Sequence, residues 1–352
     1  MSRHRSLLPT VWRGLYAPTL ILGIATSSFS LLTRSALATV IFSDDFSTST
    51  IPTGTYPTPT STSTGYAIAS SKAQNPAATI GTGHLKFGIA STSSGLEEAQ
   101  AQFTTSPVAL ANAGDSIDFI LTFTNTGILT SSSTTSGQVM FGLFNSGTVA
   151  PKTDLQNAAI TTATTDPTGG AQNWQGYVGA IFFTGGSSKI LNRSAQTGTD
   201  NTNQDLLGNN FSASNSFHNP AGTNLSGSST TPSVTLTSGN IYTEDLNITL
   251  TGAGPNTASI TTSLYAGNTV GGVPISTQSV TGVTGGNLLT TSFDSLAFGW
   301  RETGSVASLM DANALSVVFT PAPEPASLVM MGLGAGALGL GAYRRRKKVR
   351  GT

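Results

Sequence analysis

From Ser116 to Thr124 the apolar residues Ile117, Phe119, Leu121 and Phe123 occupy alternate positions, so they share one face of an extended strand. The same period of two recurs at Leu246, Ile248 and Leu250, at Ile260, Thr262 and Leu264, at Leu296, Phe298 and Trp300, and at Leu315, Val317 and Phe319. Val139 to Phe144 and Tyr177 to Phe183 are more continuously apolar, which predicts strands covered on both faces. Clusters of Gly, Asn, Ser and Thr separate these runs, and no 3.6-residue amphipathic period interrupts them. The pattern predicts an all-β, antiparallel two-sheet sandwich with little helix. Trp300 shares the face of Leu296 and Phe298 and belongs to its core.

The 352-residue chain has no cysteine, which excludes disulfides, thiolate metal sites and a cysteine nucleophile. Its stability must come from packing. A body spanning 39–321 is long enough to bury a full core as one large domain. Two stretches within it, near 47–64 and 192–231, are too rich in Pro, Ser, Thr, Asn and Gly for central strands and read as polar surface loops.

Both ends differ from this body. Arg3, Arg5 and Arg13 form a basic leader, Leu15 to Leu32 supply an apolar stretch, and Ala36-Leu37-Ala38 is an A-x-A cleavage site. Residues 1–38 therefore read as a signal peptide, with a signal helix, export through the Sec translocon and Thr39 as the first mature residue. At the other end Pro323-Glu324-Pro325 precedes an uncharged run from Ala326 to Tyr343. Its eighteen residues are about the shortest helix that crosses a hydrocarbon core of roughly 30 Å. Arg344, Arg345, Arg346, Lys347 and Lys348 follow in a basic tail over 344–350 and hold that end in the cytoplasm. The G-x-G-x-x-G spacing of Gly334, Gly336 and Gly339 lacks the preceding strand and the later acidic residue of a nucleotide site.

Without its tags the near-zero net charge of the chain disappears. The body keeps Lys72, Lys86, Lys152, Lys189, Arg193 and Arg301 against fifteen acidic residues, a net charge of −9. Nucleic acid and anionic lipid surfaces are poor partners for it, since both demand clustered Lys and Arg.

The three-part tail over 322–352 resembles the PEP-CTERM sorting signal of Gram-negative bacteria, with the motif at 323–325, a transmembrane helix at 326–343 and then the arginine cluster. The resemblance implies recognition by an exosortase, a membrane cysteine protease that removes the tail. It also implies a single-pass precursor with a cytoplasmic C-terminus, a destination at the cell surface or in the matrix, and a setting in exopolysaccharide and biofilm. The body resembles the jelly-roll sandwiches of concanavalin A-like lectins and glucanases, including laminin-G-like modules. That likeness rests on Ile41-Phe-Ser-Asp-Asp-Phe46, on Trp174 to Phe183, on Phe293 to Arg301 and on Ala314 to Phe319.

Catalytic signals are weak. The Glu-x-Asp-x-x-Glu strand motif of glucanases on this fold is absent, as is G-x-S-x-G, and His84 and His218 stand alone. Glu97-Glu98 and Glu244-Asp245 are adjacent pairs that point to opposite faces of a strand and read as solvated. No catalytic residue and no metal ligand is assigned. Asn201, Asn203 and Asp205 alternate like the start of a calcium loop, yet Leu206 replaces the turn glycine and no Glu closes the site. Sugar binding needs an exposed aromatic ring beside amides and hydroxyls. Trp174, flanked by Gln172, Asn173 and Gln175 and followed by Tyr177, either stacks on a glycan or is buried in the sandwich. The expectation is a non-catalytic exported surface or matrix protein, with a carbohydrate-binding module and a polysaccharide hydrolase as alternatives.

Overall fold

Thr39, the first residue after the expected signal cut, opens the first strand, β1 (Thr39–Asp44). In the computed structural model the described residues are 37–52, 55–70, 77–89, 95–126, 138–150, 171–183, 188–195, 206–207, 224–225, 234–252, 257–302 and 308–323. Strands β2 (Ala67–Ser70), β3 (Thr79–Gly81), β4 (His84–Ile89), β5 (Gly95–Gln102), β6 (Val108–Ala109), β7 (Ser116–Asn125) and β8 (Gln138–Asn145) follow. After a short 3-10 turn come β9 (Gln175–Phe182), β10 (Lys189–Arg193), β11 (Ile241–Leu250), β12 (Ala258–Ala266) and β13 (Ser276–Val283). The series closes with β14 (Ser292–Phe293), β15 (Ser295–Glu302) and β16 (Ser308–Thr320).

Among the described residues these strands build an eight-stranded sheet in the order β13-β12-β11-β7-β16-β4-β3, with β1 also paired to β16. A six-stranded sheet runs β10-β9-β8-β15-β5-β2, and β6 pairs with β14. Every strand pair is antiparallel. Each run predicted from alternation is a strand here. The sheets face each other across a core containing Phe119, Leu121, Phe141, Leu246, Phe298 and Trp300, so Trp300 is buried as its spacing predicts.

The two sheets approach closely at Gly179 on β9. A Cβ there would lie 2.5 Å from Oγ1 of Thr262, which projects from β12 in the facing sheet. Gly179→Ala is therefore expected to cost about 1–3 kcal/mol by forcing the sheets apart. Adding Thr262→Ala should recover part of the loss in denaturant unfolding, and strictly additive losses would show that the two positions do not press on one another.

The six-stranded sheet is covered twice. Met140, Phe144, Val178, Ala180 and Phe182 alternate with its core residues and form a second apolar cluster on its outer side, together with Trp174, Leu206 and Leu207. This explains the continuous apolar runs of β8 and β9. Glu98 anchors the covering segment: its two carboxylate oxygens accept the backbone N–H groups of Leu206 and Leu207 at 2.9 Å each.

Several expectations need correction. Glu97, Glu98 and Glu244 are buried, not solvated. Glu97 lies on the inner face beside Ala99 and Ala101, and Glu244 on the inner face between Tyr242 and Leu246. Alternation gave their sides correctly but could not show that both sides were covered. The stretch 192–231 is not wholly loop either, because Asn192 and Arg193 end β10 and are buried. Leu206 and Leu207 are core residues of the outer layer.

Both ends of the sandwich lie on one strand pair, with Thr39 of β1 opposite Phe319 of β16. Beyond β16 the chain is tied once more: the Ala322 N–H donates to Asp115 Oδ1 at 2.7 Å. The other oxygen of Asp115 accepts the N–H groups of Ala111 and Asn112, each at 2.8 Å. The compact unit Leu37–Ala322 thus ends one residue before Pro323. The signal helix, the helix over 326–343, Ala36, Glu324, Pro325 and Arg344 to Lys348 lie outside the described residues, as do Asn201, Asn203 and Asp205. No helix among the described residues is long and apolar enough to cross a membrane.

Candidate functional site

The outer face of the eight-stranded sheet is polar, in contrast to the doubly covered six-stranded sheet. Three rows cross β16, β7 and β11 there: Ala314, Thr122 and Thr243; Ser316, Ile120 and Asp245; Val318, Asp118 and Asn247. Thr122 and Thr243 share a hydroxyl hydrogen bond at 3.2 Å, and Thr243 also donates to the Gly267 carbonyl at 2.9 Å. Asn247 Nδ2 donates to Asp118 Oδ1 at 2.7 Å.

A groove of about 510 Å³ opens on this face, between the first two rows and the turn that follows β1. Ile120 forms part of its floor. Hydroxyls of Ser43, Ser47, Thr62, Thr122 and Ser316 line it, and Asn268 reaches it from the β12–β13 connection.

The Asp44-Asp45 step shapes one wall. Asp44 is buried: it accepts the Phe46 N–H at 2.6 Å, the Ser49 hydroxyl at 2.5 Å and the Tyr66 hydroxyl at 2.7 Å. These bonds hold Phe46 in a left-handed conformation (φ 61°) that reverses the chain and buries its ring against Tyr66. Asp45 is exposed on the groove. The Ser47 hydroxyl and N–H donate to it at 2.6 and 3.0 Å and hold its carboxyl below the ordinary carboxylate range.

Asp118, two residues before Ile120 on β7, and Asp245, the cross-strand partner of Ile120 on β11, lie next to it on the same face. Burial raises both, and the Asp118 charge adds to the effect at Asp245, which is pushed up to about 7. Their positions are diagonal across β7 and β11, which puts their Cβ atoms about 7 Å apart in ordinary sheet geometry. Sequence alone could not pair them, since 127 positions of chain separate Asp118 from Asp245.

The aromatic candidates fall elsewhere. Trp174 is fully buried in the outer apolar layer, with its Nε1–H donated to the Val149 carbonyl at 2.8 Å. Tyr177 is buried on the inner side, where its hydroxyl donates to the Thr290 carbonyl at 3.1 Å and burial pushes it up to about 12. Neither ring presents a face to a glycan, which corrects the expectation of contacts there. Stacking needs a solvent-facing ring, and the segment at Leu206-Leu207 covers the side on which Trp174 lies.

His84 is not isolated in space. Its Nδ1 lies 2.7 Å from Asp311 Oδ1, and Lys86 Nζ reaches the other oxygen at 3.3 Å. This pins β4 to β16 beside the bulge between Ala312 and Ala314. No group of three or more potential metal-ligating His, Asp or Glu side chains gathers among the described residues.

By fold the body is an all-β, two-sheet antiparallel sandwich. It is similar to an endo-1,3-β-glucanase from Streptomyces sioyaensis, with 11% identity over 81% of this chain and 97% of that one and a TM-score of 0.39. It is also similar to lectin II from Ulex europaeus, with 12% identity over 82% of this chain and 99% of that one and a TM-score of 0.34. An alginate lyase gives 12% identity over 69% of this chain and 82% of that one, with a TM-score of 0.33. No curated protein matches the chain by sequence. The particular finding is at the C-terminus, where residues 321–347 match the PEP-CTERM protein-sorting motif. The motif implies processing by an exosortase and export to the cell surface of a Gram-negative bacterium.

Proposed function

We propose that this chain is a non-catalytic component of the cell surface or extracellular matrix, delivered by exosortase processing and engaged with exopolysaccharide through the open face of its larger sheet. One observation carries the reading: the sorting motif begins where the folded body ends, with Ala322 tied to Asp115 and Pro323 following it. The groove supplies the contact surface, because closely set hydroxyls, one carboxamide and an aliphatic floor suit a polyhydroxylated ligand. Biofilm is the setting that such a surface protein serves.

Replacing Pro323, Glu324 and Pro325 together by alanine is expected to leave the protein in the membrane fraction at its unprocessed length. Release of the variant at the same rate as the parent would mean that the motif does not direct processing.

A hydrolase reading is favoured by one specific feature, the Asp118 and Asp245 pair. Two carboxylic groups at roughly this spacing, one of them held near neutrality, are what glycoside hydrolysis requires. Release of reducing ends from a polysaccharide, abolished by Asp245→Asn, would replace the non-catalytic reading.

A further inference from the structure

The groove has a charge character as well as a shape, and this selects among polysaccharides. Asp45 stands exposed on its wall and is held ionised by the two Ser47 hydrogen bonds. Beyond the lining, Asp245 stands opposite Ile120 on β11 and Asp118 lies two residues before Ile120 on β7, so both adjoin the floor. No lysine or arginine is among the residues that line the groove. Lys86 is committed to Asp311, the Lys189 ammonium sits 5.5 Å from the centre of the Phe182 ring on the other sheet, and Arg193 is buried with its guanidinium on the Trp174 carbonyl. The exported body as a whole carries a net charge of −9. An anionic polysaccharide would meet repulsion at the Asp45 wall, whereas a neutral one would leave the Asp45 charge unused.

We infer that the groove takes a cationic polysaccharide, an amino-sugar polymer with free amines, whose ammonium groups meet Asp45 and the Asp118–Asp245 border while its hydroxyls meet the Ser and Thr lining. This deepens the proposed function and rests on it. Along β7, Asp118, Ile120 and Thr122 advance about 3.3 Å per residue, so the polar surface is long enough for more than one sugar ring. A carboxylate on the wall and two beside the floor match a repeating cation better than a single small one.

The test is calorimetric titration of the protein recovered from the cell surface with three probes: deacetylated chitosan oligosaccharide, the fully N-acetylated oligosaccharide and oligoalginate. The deacetylated probe is expected to bind about tenfold more tightly than the acetylated one, and added salt should erase the difference. Asp45→Asn, an exposed substitution, should weaken the deacetylated probe by up to about fivefold, as expected for one exposed charge pair, and leave the acetylated one unchanged. Equal binding of the two chito-oligosaccharides would overturn the amine selectivity while leaving the polysaccharide reading in place. Preference for oligoalginate would also overturn it. Failure of all three probes to bind would remove the groove from the proposed function, and the sorting reading would stand on its own test.

Discussion

Phe298→Ala is expected to destabilise the sandwich by about 3–5 kcal/mol, a large share of the 5–15 kcal/mol that typically holds a domain together. The ring is fully buried on β15, and its neighbours come from both sheets and from the segments that bracket them. Phe87 of β4 and Phe119 of β7 meet it from the facing sheet at centroid separations of 6.1 and 6.5 Å. Phe46 and Tyr66 close on it at 6.4 and 6.1 Å. Truncation leaves a cavity at the point where the turn after β1 is stitched to the core, and a rigid sheet pair cannot collapse to fill it. In thermal unfolding the midpoint should fall by roughly 10 °C. Val40→Ala, on the exposed side of β1, should stay within about 0.5 kcal/mol. Equal effects of the two substitutions would contradict the placement of Phe298 at the centre of the core.

The second large effect is loss of stability as pH rises. Glu97 and Glu244 are fully buried, and neither carboxyl has a hydrogen-bond partner among the described residues. Burial pushes Glu97 up to about 9 and raises Glu244 well above the ordinary range. Both therefore keep their protons in the folded protein at neutral pH, while in the unfolded chain they ionise near pH 4.3. With the folded values raised, the unfolded state binds fewer protons above that pH. The contribution is complete below it and is lost as pH climbs, towards about 9 for Glu97, by up to about 1.4 kcal/mol per pH unit for each group. Urea midpoints should decline from mildly acidic to mildly alkaline buffer, and the Glu97→Gln, Glu244→Gln double variant should flatten the slope and gain several kcal/mol at its alkaline end. An unchanged slope in the double variant would mean that these carboxyls are solvated or paired in solution.

The two buried glutamates also show where sequence reading runs out. Alternation in β7, β11, β12, β15 and β16 identifies strands and inner faces because the burial period is local. It assigns Glu97 and Glu98 to opposite faces correctly. It cannot reveal that the outer face is also covered, since Glu98 meets Leu206 and Leu207 more than a hundred residues later. The same limit left Trp174 open between stacking on a glycan and burial, because the apolar layer that covers it comes from distant chain. The groove is illegible for a related reason. Ser43, Thr62, Thr122, Asn268 and Ser316 carry no motif, and only strand order brings them together. The sorting tail is legible because the residues that carry its motif are contiguous in the sequence, over 321–347.

The most direct measurement is the intact mass of the native protein from membrane and extracellular fractions, with both ends mapped by peptide sequencing. An extracellular form that begins near Thr39 and ends near Pro325 is expected, which keeps the β1–β16 pair and the Ala322 tether whole. A mature protein that remains in the membrane and retains Arg344 to Thr352 would contradict exosortase sorting.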